Sequence, residues 1–202
     1  MKYLNGFLIG LLLASPSVMA DDRIKKMDWE GIDVVWIEDN RYPTFDVNVY
    51  FADGGLSDGR SFKGMTDMAF NLLTSGTRRY SQKDLSDNLE FYGASYGGSV
   101  THESVNYKVS GLLKDMVPTM KKVCHIFKDA SYPKKEIKKA KRMIRSNAKA
   151  LVNNHSALAS RAFRELSLSG TPYSYPVSGK LKDLRKFTQK RLKKKLSYFN
   201  NR

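Results

Sequence analysis

The sequence predicts an α+β fold: a mostly antiparallel sheet covered by helices. Three observations carry this. Stretches that alternate apolar and polar residues are grouped around residues 32–51 and 95–111. Stretches with apolar residues every three or four positions come in runs between and after those groups. No internal repeat, low-complexity linker or composition break divides the chain. Segregated strands and helices point to one layered α+β domain rather than to alternating βαβ units.

Taken in order, residues 32–38 (IDVVWIE) read as a short buried strand. Residues 44–51 alternate cleanly, with Phe45, Val47, Val49 and Phe51 on one face, the period of a half-covered strand. Asp53-Gly54-Gly55 breaks it. From Gly64 the period lengthens: Met65, Met68, Ala69, Leu72 and Leu73 form one stripe of a buried helix ending at Gly76. Ser81 with Asp84 forms a capping box for a second helix through Leu85, Leu89 and Tyr92. Two strands follow, about 95–102 and 104–111. Asp115 opens the next helix, whose apolar face is read as Met116, Val117, Met120, Val123, Cys124 and Phe127, which makes Cys124 a core residue and not a nucleophile. Pro133 opens a long lysine-rich helix through Ile137, Ala140, Ile144 and Ala148. A further helix carries Leu158, Ala162, Phe163 and Leu166, and a last one, capped by Thr188, runs to Phe199.

Composition narrows the function. With 202 residues, 41% of them hydrophobic, and 10 Phe and 11 Tyr, the chain has enough apolar surface to build a core and is not disordered. A single cysteine excludes an internal disulfide framework and a multi-cysteine zinc site. His102, His125 and His155 lie too far apart in sequence to form a local metal-binding pair.

Residues 1–20 read as a signal peptide: Lys2, an apolar run over 7–14, and the small-x-small site Val18-Met19-Ala20. The apolar run is far short of the roughly 20 residues a bilayer span needs. The expected mature chain therefore begins at Asp21 and is periplasmic or secreted. The net charge of +15 is segregated: residues 1–120 carry 12 Lys and Arg against 16 Asp and Glu, leaving 23 against 4 in residues 121–202. Such a basic half suggests nucleic acid. Export and the lack of interleaved base-stacking aromatics argue instead for no nucleic acid, and for a solvated lysine-rich face with peripheral contact to anionic membrane.

The order of landmarks carries more information than any one of them. Gly54-Gly55 is followed by Lys63-Gly64, an apolar helix, Ser75-Gly76-Thr77, a Ser81-led helix and Gly93-Ala94. Then come the Val105-x-Tyr107 strand, the Pro133-led helix and Gly170-Thr171-Pro172-Tyr173. Over about residues 31–199 this series resembles the N-terminal half-domain of the insulinase/pitrilysin-type zinc metallopeptidases, the family of mitochondrial processing peptidase. The domain organisation so expected is a signal peptide, 1–20, and one half-domain, 21–202. The family pattern continues with another strand and a second half-domain, so the resemblance implies a half-domain incomplete at its C-terminus.

The resemblance also implies where chemistry would sit. Active relatives carry His-x-x-Glu-His on the helix after the Lys-Gly; the two His bind zinc and the Glu is the general base on the metal-bound water. Anchored on Gly64 and Gly76-Thr77, those positions hold Asp67, Phe70 and Asn71. The third-ligand position, counted from Glu136, falls at or beside Asn147, and Arg145, Ser146, Ala148 and Lys149 supply no carboxylate either. The expectation is a homologue with no catalytic residue, no metal ligand and no cofactor, the family's zinc having been lost. An active zinc endopeptidase would need ligands from outside the motif, from a partner chain or from His102, His125 or His155 brought to Asp67, and no spacing supports that. The remaining classes are a partner subunit, paired with an active family member or with a complementing C-terminal half-domain, and a basic protein bound to anionic surfaces. The family further implies peptide addition at a sheet edge, here Gly97, Gly98, Ser99 and Val100. Read from the residues alone, that stretch is equally a flexible strand with a bulge. His102 and Glu103 are expected to be surface groups.

Overall fold

The computed structural model describes residues 23–59 and 61–201; the signal peptide read at 1–20 and its cleavage before Asp21 lie outside them. The chain forms two compact units that meet in sequence at Tyr42 and Pro43. The first holds a β-hairpin, β1 (Ile24–Trp29) and β2 (Ile32–Ile37), antiparallel with Trp29 opposite Ile32. Its two-residue turn places both Glu30 and Gly31 at positive φ, the geometry that matches the twist of a hairpin. The strand over 32–37 is as expected, but it is not buried: Ile32, Val35, Trp36 and Ile37 are exposed. Two strands alone make one ribbon, with no second layer within the unit. Its partner β1 reads IKKMDW and has no alternation by which the sequence could announce it.

The second unit is built on a three-stranded antiparallel sheet in the order β3–β5–β4. Its strands are β3 (Thr44–Phe51), β4 (Ser95–Val100) and β5 (Val105–Leu112). The register sets Phe51 and Val100 both opposite Val105. Period two then places Phe45, Val47, Val49 and Phe51, with Val105, Tyr107 and Val109, on the covered face.

Helices supply the cover. They are α1 (Met65–Asn71), α2 (Gln82–Phe91), α3 (Met116–Asp129), α4 (Lys134–Ala150), α5 (His155–Ser167) and α6 (Gln189–Asn200). The capping box at Ser81 and Asp84 is formed in full, and Thr188 caps α6 by accepting from the Arg191 N–H. The core runs through Met68 and Leu73, Leu85 and Leu89, Val123 and Ile126, and Leu192, Leu196 and Phe199. Cys124 and Val117 do not join it; both are exposed. The inward stripe of α3 is Thr119, Val123 and Ile126, and the 3.6-residue repeat turns position 124 off that stripe. Nor does α5 bury the face read from its sequence: no residue of it is buried.

Candidate functional site

The site is built around the N-terminus of α1. Gly64, its N-cap, has a left-handed φ of 94° and offers no side chain to the first turn. That role falls to the buried Asp58, whose carboxylate accepts from the Gly64 N–H at 3.0 Å, the Thr66 N–H at 3.0 Å and the Thr66 hydroxyl at 2.7 Å. Lys195, from α6, pairs with it at 3.3 Å and also donates to the Ser57 hydroxyl at 2.6 Å. An acid at a helix N-terminus, with its oxygens filled by N–H and O–H donors, is where a buried charge is tolerated.

A backbone crossing fixes the same turn from the other side. A Cβ on Gly64 would stand 2.2 Å from the Ser178 carbonyl oxygen, and one on Gly179 would stand 1.8 Å from that of Lys63. Only glycine lets the two strands of backbone pass this closely, so the loop ending at Gly179 is seated on the start of α1.

On the helix itself, Phe70 is 4% exposed. Its ring packs against Phe199 at 5.1 Å between centroids, Phe51 at 6.1 Å and Phe127 at 6.4 Å, all tilted or edge-on. Asp67 is half-buried and bonded through its side chain to Asn71. Burial raises its pKa, the Asn71 hydrogen bond opposes this, and the nearby Asp58 charge adds to the rise. The positions that would hold two imidazoles and a carboxylate are thus a carboxyl–amide pair and a core phenyl ring. Phenyl cannot accept a proton, and a lone carboxylate with an amide is a poor donor set for zinc.

The structure keeps the three histidines apart in their partners. His102 Nε2 is 2.9 Å from the Tyr175 carbonyl oxygen. His125 lies 3.6 Å from Asp129 and edge-on to the Tyr80 ring. His155 is exposed at the start of α5. Asn147 is exposed on α4. Among the described residues no group of three or more His, Cys, Asp or Glu is gathered closely enough to hold a metal ion. The zinc of the active relatives therefore does not fit these residues.

The stretch Gly97, Gly98, Ser99 and Val100 lies on β4, which forms one edge of the sheet of the second unit and bonds to β5. Gly98 faces the Tyr107 ring, where a Cβ would sit 3.0 Å from a ring carbon, and Gly97 faces open space. Burial pushes the Tyr107 hydroxyl well above the ordinary tyrosine range. Glu103, exposed at the adjoining hairpin, accepts from the Tyr173 hydroxyl at 2.5 Å. Asp58 and Lys195 are the residues that sequence reasoning missed. The available signal was a helix whose N-cap is a glycine, which calls for a capping acid from elsewhere.

Comparison with known proteins places this geometry. A family model described as insulinase (peptidase family M16) matches residues 33–179. Among solved structures, an inactive domain of a family M16 peptidase from Pseudomonas fluorescens superposes with a TM-score of 0.80 at 20% identity, over 86% of this chain and 43% of that one. The periplasmic protease PqqL from Escherichia coli gives 0.75 at 14% identity, over 88% of this chain and 21% of that one. A protease from Helicobacter pylori gives 0.70 at 14% identity, over 85% and 42%. The chain spans less than half the length of each. A search of curated protein sequences finds no match.

Proposed function

Because the chain belongs to the insulinase family of peptidases, family M16, we propose that it is an exported, non-proteolytic member that binds peptide or a partner subunit instead of cutting. The observation that carries this reading is Phe70. At the place of the general base stands a ring locked among Phe51, Phe127 and Phe199, and no water near it would find a proton acceptor there. The Asp67–Asn71 pair beside it is satisfied internally.

Binding chemistry survives where the hydrolytic chemistry does not. The β4 edge offers main-chain donors and acceptors, and Gly97 leaves room for another backbone to approach. An extended peptide added along Gly97, Gly98, Ser99 and Val100 is the mode this edge supports. The fitting partners are an active subunit of the same family or a complementing C-terminal half-domain. One half-domain over residues 21–202, exported behind the signal peptide at 1–20, fits the same reading, and one structural relative is described as periplasmic.

The test is direct. The purified chain is incubated with unstructured peptides, with and without added zinc, and its amide resonances are followed during the titration. The expected result is no cleavage, with shifts confined to the β4 strand and its neighbours. Chelator-sensitive cleavage that Asp67→Ala abolishes would overturn the non-proteolytic reading. Mass spectrometry of the periplasmic fraction tests export; a chain retaining Met1 in the membrane would overturn it.

A further inference from the structure

The helix α5 is amphipathic the wrong way round for a core element. Leu158, Ala162 and Leu166 follow one another at i, i+4 and i+8, with Ala159 and Phe163 beside them, so one arc is apolar. That arc is turned outward: Phe163 is 73% and Leu166 78% exposed, while the half-buried positions are Ala157 and Arg161 on the other side. The helix touches the rest of its unit mainly through the short turns at residues 151–153 and 172–174. Val152, in the turn that joins it to α4, is exposed, as is Met143 on α4.

The adjoining helix supplies charge. Lys134–Ala150 carries eight Lys and Arg against the single Glu136. Among the described residues none of the eight is in an ion pair. Their mutual repulsion is felt locally: burial and then the Arg145 charge lower the pKa of Lys141. Six of the eight are lysines, flexible point charges rather than planar forks, which suit a diffuse, fluid array of anions better than a fixed bidentate partner.

We propose that α4 and α5, residues 134–167, form a docking arm for an anionic lipid bilayer surface, with Phe163 and Leu166 entering the headgroup region and the α4 cations pairing with lipid phosphates. A basic stretch joined to protruding apolar side chains is the composition of interfacial attachment. No described helix is long and apolar enough to cross a membrane, so this contact is peripheral. It is independent of the peptide-binding reading, which rests on β4.

The experiment is co-sedimentation of the full chain with vesicles of phosphatidylcholine, alone or with about a third phosphatidylglycerol. Two variant sets are compared with the parent chain: Phe163→Ser with Leu166→Ser, and Lys138→Gln, Lys139→Gln, Arg142→Gln with Arg145→Gln. All six positions are exposed, and circular dichroism confirms that each variant keeps its helices. Every variant shares the residues outside 138–166, so differences report the arm alone. The expected result is binding to the anionic vesicles only, lost as salt shrinks the Debye length to ~3 Å and weakened about tenfold or more by either set. Equal binding to phosphatidylcholine alone, or anionic binding that both variant sets leave unchanged, overturns the proposal. So does a self-association that Phe163→Ser with Leu166→Ser dissolves while vesicle binding stays the same, because the face would then belong to a second copy of the chain.

Discussion

Phe70 has exchanged a chemical task for a packing one. Its ring contacts link α1 to β3, α3 and α6, so it cannot be turned back into a base without opening the core. Phe70→Ala is expected to cost about 3–5 kcal/mol, the range for truncating a buried Phe, measured by chemical denaturation. Phe70→Glu is expected to unfold the chain rather than to create activity. Asp67 gives a prediction of opposite sign. Its folded-state pKa is raised, by burial first, so folding favours the neutral acid, and stability present at acid pH is lost as pH rises through the raised value. Asp67→Asn is therefore expected to be more stable than the parent at neutral pH, with the gap closing as pH falls toward 3.8. Denaturation midpoints across that range check it. The apolar stripe and the motif replacements were legible because each depends on spacing within one helix. Asp58 was not, because its ion-pair partner Lys195 lies far along the chain and no local pattern joins them.

At the scale of elements, the helices declared themselves through their caps. Ser81 with Asp84 and Thr188 are local signals, and both caps form. β1 declared nothing, since IKKMDW has no period. Periodicity gave α5 an apolar face but could not say which way that face looks; only tertiary placement decides it. The crossing of Lys63-Gly64 over Ser178-Gly179 is likewise invisible in sequence, although its cost is calculable once seen. Gly179→Ala places a Cβ 1.8 Å from a carbonyl oxygen at a φ of 85°, so both backbones must shift. A loss of about 3 kcal/mol or more is expected. Gly97→Ala is the control: its Cβ meets nothing within 4 Å and its φ is ordinary, so thermal unfolding should move by only a few tenths of a kcal/mol. If the two alanine variants unfold alike, the crossing does not hold α1 in place.

At the scale of the whole molecule, apolar burial is uneven, and stability should follow it. The second unit holds its sheet under α1, α2, α3 and α6, with Val105, Tyr107 and Val109 of the central strand at most 1% exposed. The first unit is a hairpin with Trp29, Ile32, Val35, Trp36 and Ile37 exposed, and a two-stranded ribbon is marginal in water. Local opening therefore spans a wide range of free energy within one chain. Hydrogen exchange on the chain alone is expected to show slow amides along β5 that open only in global unfolding. The amides of residues 24–37 and of α5 should exchange orders of magnitude faster, because few buried apolar contacts resist their opening. Adding a complementing half-domain or partner subunit should raise protection at the exposed elements and sharpen thermal unfolding, since whatever binds the folded form alone stabilises it. Uniformly slow exchange across β1, β2 and α5 without any partner would mean that these faces are satisfied within the chain. The partner reading would then lose its physical motive, and the exposed tryptophans would need a different account.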